Sequence, residues 1–439
     1  MADGTSLATE FDALDAALRT AIGAAVDGLQ DDAIALLSAL VREDSQMGQE
    51  AGAQVLMAET FAGLGLEVDA FEIDEAAIRT HPGYSPSLIS YAGRRNVVGC
   101  HRPAQTTGKS LILNGHIDVV PPGDASRWTH PPFEPVVRDG RLYGRGSGDM
   151  KAGIVAYTLA FKALQSLGYA PAAPVFLQSV VEEECTGNGA LACLVRGYRA
   201  DAAIIPEPFA QTLMTAQIGV LWCSITVTGL AAHMIDRTKG TSAIDAALLL
   251  AEHMKTLEAE WNAAPHPAYA DVPHPINFNL GRIEGGEWTS SVPETCTTHW
   301  RLSFYPGMTA AEASATVEQR IRKALETDPR LAGCAATVTW QGFQAPGFEI
   351  AANHPMLRLL DDAHRSVAGR PAGTIACTCT TDARFFNLYG DTPATCYGPE
   401  ATAIHTIDES VSLQSLRDVT AVLALFMAAW CGLSRQGGA

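Results

Sequence analysis

Long apolar runs and an excess of basic residues are both missing from this chain of 439 residues. No stretch approaches the roughly 20 uninterrupted apolar residues that a membrane-spanning helix needs. Thirty basic residues against 48 acidic ones give a formal net charge of -18, and such an acidic surface repels the phosphates of nucleic acids. The sequence therefore argues against a membrane partner and against a nucleic-acid partner.

Secretion signals and metal-type cysteine pairs are missing as well. The first residues lack the basic and apolar segments of a signal peptide, and none of the ten cysteines forms a C-x-x-C pair. The two nearest in sequence, Cys377 and Cys379, have a spacing that rarely allows a disulfide within a strand. We therefore expect reduced thiols and a cytoplasmic protein.

What the chain does contain is enough apolar sequence, 47% of the residues, for two domains. In the first half, short strand-like runs alternate with helical segments, which predicts an α/β fold with a largely parallel sheet between helices. The predicted strands cover residues 66–71, 96–100, 111–114, 175–181 and 202–205, and predicted helices cover 153–167 and 190–197.

After residue 213 the pattern changes to strand, helix, strand, strand, helix, strand. This order is typical of a small ferredoxin-like α+β domain inserted into the first one. We therefore predict a first domain formed by residues 1–213 and 344–439 and an inserted domain at 214–343. The elements of the inserted domain are expected at residues 220–228, 243–257, 276–283, 295–304, 310–326 and 335–340, and a last helix at 413–430.

Histidine and acidic residues occur where several of the predicted strands end, and one more carboxylate follows a glycine-rich turn. In open α/β sheets, ligands gather at the carboxyl ends of the strands. A dinuclear zinc-type site needs imidazole and carboxylate ligands, with one carboxylate shared by both ions. The candidate ligands, in chain order, are His116, Asp149, Glu183, Glu207 and His405.

Together these motifs resemble the zinc aminoacylase and carboxypeptidase family, which includes acetylornithine deacetylase, succinyl-diaminopimelate desuccinylase and bacterial glutamate carboxypeptidase. The resemblance covers most of the chain and implies a zinc-peptidase-like catalytic domain with an inserted dimerisation or lid domain. The motifs are His116-Ile117-Asp118, Gly144-Arg145-Gly146-Ser147-Gly148-Asp149-Met150-Lys151, Glu182-Glu183, Pro206-Glu207-Pro208, Gly229-Leu230-Ala231-Ala232-His233, Thr381-Asp382-Ala383-Arg384, and His405 with Glu409.

The resemblance implies two divalent metal ions per subunit, with zinc expected first and cobalt or manganese as alternatives. Asp149 would bridge the ions, His116 and Glu207 would bind one of them, and Glu183 and His405 the other. All these residues match motif positions of the family.

The same resemblance makes Glu182 the general base, because the base has to stay free to accept a proton from the attacking water. A third glutamate, Glu184, leaves this register open by one residue, and an ungapped alignment through Gly189 favours Glu182 as base. Asp118 would orient the imidazole of His116.

The inserted domain adds one expected catalytic residue. In the family, a histidine placed like His233 reaches the active site of a partner subunit and stabilises the oxyanion, so the resemblance implies a homodimer. The alternative is a surface histidine at a turn.

Substrate-binding residues follow the family pattern less closely. Ser290 stands where relatives carry asparagine, and Arg301 lies two residues before the expected arginine but on the same face of its strand. Arg301 could hold a substrate carboxylate or could form an ion pair within the inserted domain. Gly398 is the third candidate for substrate contact.

We therefore expect a metal-dependent amide hydrolase whose small-molecule substrate is an N-acyl amino acid of the acetylornithine type. A di- or carboxypeptidase, or a catabolic hydrolase of an unusual amide or amine, is the alternative within this class. A non-catalytic binding relative of the fold is the alternative from another class.

Overall fold

The computed structural model describes residue 11 and residues 14–436, so Met1 to Glu10, on which the expectation of a cytoplasmic protein partly rests, lie outside the described residues. Alternating helices and strands fill most of this range. The α-helices are Ala16–Asp27, Gln30–Arg42, Ala51–Gly63, Glu75–Ile78, Ala152–Ser166, Asn188–Val195, Ala243–Asn262, Ala310–Thr327, Pro355–Ala368, Ala383–Tyr389 and Leu413–Cys431.

The strands are numbered β1 to β19 in chain order. They are β1 Glu67–Glu72, β2 Arg95–His101, β3 Leu111–His116, β4 Val136–Arg138, β5 Arg141–Tyr143, β6 Tyr169–Pro171, β7 Val175–Val180, β8 Ala203–Ile205, β9 Leu213–Gln217, β10 Gly219–Thr228, β11 Phe278–Gly285, β12 Thr295–Phe304, β13 Ala335–Ala345, β14 Phe348–Glu349, β15 Thr374–Cys377, β16 Ala394–Cys396, β17 Ala401–Thr402, β18 Ser410–Ser412 and β19 Leu433–Arg435.

A six-stranded mixed sheet in the order β1-β2-β7-β3-β8-β16 forms the centre of the larger unit. The neighbours β7, β3, β8 and β16 run parallel, whereas β1 and β2 pair antiparallel. The predicted strands thus correspond to β1, β2, β3, β7 and β8, and the sheet is largely parallel as expected, with β1 and β2 as antiparallel strands at one edge.

Helices cover both faces of this sheet. Leu111 and Leu113 of β3 belong to the core with helices Ala152–Ser166 and Leu413–Cys431, whereas Ile112 belongs to a second core with Phe386 on the opposite face. Alternate side chains of a strand point to opposite faces, and here both faces are apolar and buried.

The helix Leu413–Cys431 is long and apolar enough to span a membrane, but 72% of its most apolar window is buried inside the fold. It lies against helices Ala152–Ser166 and Pro355–Ala368. Its apolar character therefore serves the core of the larger unit.

A second sheet, antiparallel and four-stranded, has the order β11-β12-β10-β13. Its elements follow the predicted order of strand, helix, strand, strand, helix, strand. The helices Ala243–Asn262 and Ala310–Thr327 share a separate hydrophobic core with one face of this sheet. The predicted boundaries at 213/214 and 343/344 fall inside β9 and β13, and β9 pairs with β14 and β15 in a further small sheet.

Candidate metal centre

Three adjacent strands bring the predicted ligands to one edge of the large sheet. His116 is the last residue of β3, the three glutamates 182–184 follow β7, and Glu207 follows β8. Because β7, β3 and β8 are parallel neighbours, their carboxyl ends meet, and side chains that are distant in sequence converge. The strand pattern therefore correctly predicted this convergence.

Asp149 reaches the same edge on the glycine-rich turn, whose shape depends on the buried carboxylate of Glu409. Glu409 accepts hydrogen bonds from the backbone N–H groups of Gly146 at 3.0 Å, Gly148 at 2.9 Å and Asp149 at 3.0 Å. It also accepts one from Arg145 Nη1 at 2.6 Å. A carboxylate that accepts three backbone N–H groups of one turn fixes the position from which Asp149 projects.

The two carboxylate oxygens of Asp149 face two different imidazoles. Its Oδ1 lies 3.1 Å from His116 Nε2, and its Oδ2 lies 3.2 Å from His405 Nε2. Glu207 Oε1 lies 3.8 Å from His116 Nε2, and Glu184 Oε1 lies 3.1 Å from His405 Nε2. Asp149 therefore stands between a His116–Glu207 group and a His405–Glu184 group.

Glu182 lies outside this arrangement, which disagrees with its prediction as the general base. It is fully buried and forms a short ion pair with Arg94. Its carboxylate also accepts hydrogen bonds from Tyr91 Oη at 3.2 Å and Thr186 Oγ1 at 2.8 Å. With these partners its carboxylate is engaged in the protein interior, and among the described residues it forms no hydrogen bond or ion pair with either imidazole.

The contacts fit an alignment of the glutamate run 182–184 that is shifted by one residue. Glu184 takes the place beside His405 that was predicted for Glu183. Glu183 Oε2 lies 3.9 Å from His116 Nε2, and its buried Oε1 has no hydrogen-bond partner among the described residues. Glu183 is thus the glutamate next to the cluster that keeps a carboxylate oxygen unengaged.

Asp118 orients its neighbours in two ways. Its backbone carbonyl accepts the hydrogen bond of His116 Nδ1 at 2.9 Å, which turns Nε2 toward the carboxylates. Its carboxylate, 3.8 Å from the same Nδ1, accepts the backbone N–H groups of Glu183 at 3.3 Å and Glu184 at 3.1 Å. Asp118 therefore couples the end of β3 to the glutamate loop, and the contact with the imidazole comes from its main chain.

Burial of so many carboxylates shifts their protonation. Desolvation raises the pKa of Glu183 and of Glu207 well above the usual range, and raises that of Asp382 to about 6. Burial also disfavours a charged His116, yet its pKa is raised because the hydrogen bond with Asp149 and the nearby carboxylates outweigh that cost. Hydrogen bonds to Asp149 and Glu184 raise the pKa of His405 to about 11.

The donor set fits two divalent cations. Ligand atoms of His116, Asp149 and Glu184 lie within 4.8 Å of one another, and Glu207 and His405 complete a set of nitrogen and oxygen donors. The unpartnered Glu183 Oε1 and both unpartnered oxygens of Asp382 are buried beside the same cluster. Such a concentration of negative charge suits cations.

A cavity of about 250 Å³ opens onto the cluster. Its walls combine the acidic groups with a few apolar and hydroxyl side chains. The lining residues are Asp149, Glu183, Glu184, Glu207, Pro208, Phe209, Cys379, Thr380, Thr381, Ile404 and His405. The cavity therefore has room for a small acyl group next to the carboxylates.

The remaining predicted residues are spread over other places. His233 and Ser290 lie on exposed loops beyond the four-stranded sheet, where the backbone of His233 forms an isolated antiparallel β-bridge with Ser291. Among the described residues, neither forms a hydrogen bond or ion pair with the cluster. Gly398 lies behind Glu207, since an added Cβ would approach the carbonyl oxygens of Pro206 and Glu207 at 2.3 Å.

Arg301 projects from β12 toward the larger unit. Its Nη2 donates to the carbonyl oxygen of Thr378 at 3.1 Å, one residue from the cavity wall at Cys379. No described carboxylate forms an ion pair with Arg301, so the alternative of an ion pair within the inserted domain is not supported. Burial lowers the pKa of this guanidinium.

Sequence reasoning missed the supporting residues Arg94, Glu50 and Asp382. Arg94 forms short ion pairs with both Glu50 and Glu182. Arginine in a strand-rich segment gives no sign of a partner about ninety residues away, so only the buried Glu182 could have hinted at a compensating cation. Asp382 belongs to the motif at residues 381–384, but its burial beside the cluster depends on the fold.

A family model described as Peptidase family M20/M25/M40 matches residues 112–429 of the chain. Among curated proteins, an N-formyl-4-amino-5-aminomethyl-2-methylpyrimidine deformylase from Bacillus subtilis is 28% identical over 79% of this chain and 85% of its own length. A succinyl-diaminopimelate desuccinylase from Methylorubrum populi is 27% identical over 89% and 96% of the two chains.

Solved structures show the same fold. A crystal structure of a tripeptidase from Staphylococcus aureus has a TM-score of 0.70 and 23% sequence identity. The match covers 91% of this chain and 98% of the tripeptidase. At this identity the likeness concerns the fold alone.

Replacing Arg94 with methionine tests the buried ion pairs. The side chains of Arg94, Glu50 and Glu182 are at most 5% exposed, so the variant leaves two buried carboxylates without their cation. We expect the free energy of unfolding to fall by about 3–5 kcal/mol, measured by urea denaturation. Arg79→Met, which removes an ion pair whose arginine is 65% exposed, is the matched control and should cost less than about 1 kcal/mol. Equal losses in the two variants would contradict this assignment.

Metal binding should strengthen as pH rises. In the metal-free protein the pKa of His405 is raised to about 11, so its imidazole is protonated between pH 6 and pH 8 and has to release a proton before coordinating a cation. The raised pKa of His116 acts in the same direction. We expect the affinity for zinc to rise by roughly tenfold per pH unit for each proton displaced. Competition with a chelator at several pH values measures this slope, and a pH-independent affinity would contradict it.

Proposed function

The chain belongs to peptidase family M20/M25/M40 and is a metal-dependent hydrolase of amide bonds, and on this premise we propose that it deacylates N-acyl amino acids. The observation that best supports this proposal is the position of Asp149 between two imidazole–glutamate groups, with the unpartnered Oε1 of Glu183 beside them. The relatives named as a deformylase and a desuccinylase both remove an acyl group. A non-catalytic role is not supported.

In this proposal, two divalent ions, zinc first, would be held by Asp149 together with His116 and Glu207 on one side and with Glu184 and His405 on the other. When bound, the ions would polarise the scissile carbonyl and make the attacking water more acidic. Cobalt and manganese suit the same ligands and remain alternatives.

Glu183 is the proposed general base. Its Oε1 is buried without a partner among the described residues, so it is available for a proton. It takes the proton of the attacking water as the new C–O bond forms, and it returns that proton to the nitrogen as the C–N bond breaks. Burial raises the pKa of Glu183, which makes its carboxylate a stronger base for the step in which it takes the proton from water.

Glu183→Gln should lower kcat by roughly a hundredfold to ten-thousandfold while metal content stays unchanged. The matched control is Glu182→Gln, which alters the adjacent glutamate but leaves the cluster side chains in place. We expect this control to keep most of its kcat and to lose stability, since Arg94 loses an ionic partner. The opposite result would restore Glu182 as the base. The measurements are steady-state kinetics and elemental analysis of each variant.

The position of Arg301 supports a substrate that carries a carboxylate. Its guanidinium, without a carboxylate partner among the described residues, lies next to the cavity wall. We propose that it binds the substrate carboxylate, which is the group that an N-acyl amino acid offers. Ser290 and Gly398 remain predictions for substrate contact.

A substrate panel tests the proposed class. It contains N-acetylornithine, N-succinyl-diaminopimelate, N-formyl-4-amino-5-aminomethyl-2-methylpyrimidine and several dipeptides, each with zinc, cobalt or manganese. We expect the highest kcat/KM for an N-acyl amino acid. Preference for the pyrimidine would favour the second candidate, a deformylase of a catabolic type, which the Bacillus subtilis relative suggests. Preference for dipeptides would indicate a peptidase, and hydrolysis of none of them would contradict the proposal.

The four-stranded sheet is the proposed ferredoxin-like dimerisation or lid domain at residues 214–343. Apolar side chains next to His233 are exposed: Ile235 by 88%, Trp288 by 73% and Leu230 by 56%. We propose that they lie in a homodimer and that His233 stabilises the oxyanion in the partner's cavity. A cytoplasmic location also remains a prediction.

Mixing two inactive variants tests whether His233 acts in the cavity of the partner subunit. His233→Ala removes the donor and Glu183→Gln removes the base, so each homodimer should be nearly inactive. In a mixed dimer, one cavity has an intact Glu183 and receives an intact His233, and random exchange should restore up to roughly a quarter of wild-type activity. A mixture that exchanges subunits but stays inactive would contradict the proposed role of His233.

A further inference from the structure

Two cysteine thiols lie in contact at the wall of the cavity. The Sγ atoms of Cys377 and Cys379 are 2.9 Å apart, whereas residues two apart on a regular strand are separated by roughly 6.6 Å. The chain makes this contact because β15 ends at Cys377 and bends at Thr378 and Cys379. A disulfide needs a separation of roughly 2.0 Å, so a small movement would close the pair.

Hydrogen bonds fix the backbone of this cysteine pair, and one of the two thiols faces the cavity. The carbonyl oxygen of Cys377 accepts hydrogen bonds from Ile218 N at 3.1 Å and Tyr269 Oη at 3.0 Å. Cys377 itself is 6% exposed, whereas Cys379 is half-buried and lines the cavity together with the carboxylates. A small oxidant entering the cavity therefore meets one thiol directly and the other behind it.

The positive charge of Arg301 also favours reactivity at this place. A hydrogen bond with Cys379 lowers the pKa of Cys377, and the nearby guanidinium of Arg301 acts in the same direction. The same contact and burial raise the pKa of Cys379, so Cys377 is the thiol of the pair that ionises first. Thiolates, not thiols, are the nucleophiles in peroxide chemistry. Among the described residues, Cys377 and Cys379 form the one thiol pair within hydrogen-bonding distance, and Cys396 is buried in the same apolar cluster.

We propose that Cys377 and Cys379 form a peroxide-reactive dithiol that closes to a disulfide on the wall of the active-site cavity. One thiolate attacks a peroxide oxygen, the O–O bond breaks, and a sulfenic acid and one water form. The second thiol then attacks the sulfenic sulfur, the S–O bond breaks, and a second water leaves. Two thiols and one hydrogen peroxide thus give one disulfide and two water molecules.

Closure would alter the cavity wall. Arg301 Nη2 donates to the carbonyl of Thr378 at 3.1 Å, and Gln217 Nε2 and Arg384 Nη1 donate to Thr380 Oγ1 at 3.1 Å and 3.2 Å. Drawing the two sulfurs together displaces this segment and these bonds. The resulting loss of activity rests on the proposed function, whereas the formation of the disulfide does not. In a reducing compartment such a bond is expected to be transient.

Peptide mapping tests the disulfide without any activity assay. Trypsin should release residues 366–384 as one peptide whose only cysteines are Cys377 and Cys379, because the bond between Arg370 and Pro371 resists cleavage. After hydrogen peroxide treatment of the full chain and alkylation, we expect this peptide to lack both alkyl groups and two hydrogen atoms, and dithiothreitol should restore it. Two alkylated cysteines, or a sulfinic acid at either one, would overturn the proposal.

Activity tests the consequence, with each variant compared with its own untreated form. Peroxide should lower wild-type turnover by roughly tenfold or more, reversibly with dithiothreitol, as a small displacement in an active site does. Cys334→Ser, which removes a half-buried lone thiol, should behave like wild type, whereas Cys377→Ser should resist. If Cys377→Ser loses activity as steeply as Cys334→Ser, the dithiol is not the cause and its regulatory role is overturned. If no substrate is turned over, the mapping alone still decides whether the disulfide forms.

Discussion

The burial of several carboxylates in one small cluster is the constraint on which the rest of this structure depends. Burial raises the pKa of Glu183, Glu207 and Asp382 around His116, and repulsion from neighbouring carboxylates adds to this effect at Glu183 and Glu207. Two imidazoles offset part of this charge, and two cations would offset far more. The affinity of the centre for metal and the ability of Glu183 to carry a proton both originate in that crowding.

The fold limits this repulsion because the neighbouring carboxylates have hydrogen-bond and ion-pair partners of their own. Glu409 receives three backbone N–H groups and Arg145, and Glu182 receives Arg94, Tyr91 and Thr186. Asp118 receives the N–H groups of the glutamate loop. Each of these carboxylates has its own ion-pair or hydrogen-bond partners. They therefore hold the backbone in place, and the carboxylates that face the metal site project from it.

The glutamate run shows how one backbone conformation divides these tasks. Glu182 has a φ of 75°, in the left-handed region that costs a non-glycine residue roughly 1–2 kcal/mol. The turn sends the Glu182 side chain inward to Arg94 and leaves Glu183 and Glu184 facing His116 and His405. An ion pair buried under the loop thus decides which of three identical residues is free for chemistry.

The Cys377–Cys379 contact likewise depends on a local bend. A strand would keep these two thiols apart, and the sequence spacing alone argues against a bridge. The end of β15 at Cys377 removes that obstacle and turns the second thiol back onto the first. Both cases concern residues one or two positions apart, where small backbone rotations reverse the direction of a side chain.

The sequence by itself determined the largely parallel sheet between helices and the meeting of His116 with Glu207, because apolar periodicity and strand ends are local properties. The places of Asp149 and His405 beside them were implied by the resemblance to the family motifs. The sequence pattern also determined the order of elements in the four-stranded part. Only the tertiary structure decided the register of the glutamate run, the support from Arg94 and Glu50, and the burial of Asp382. The reason is physical: side-chain direction in a loop follows from φ, ψ and from charges brought by distant segments, and neither is encoded in the spacing of the residues themselves.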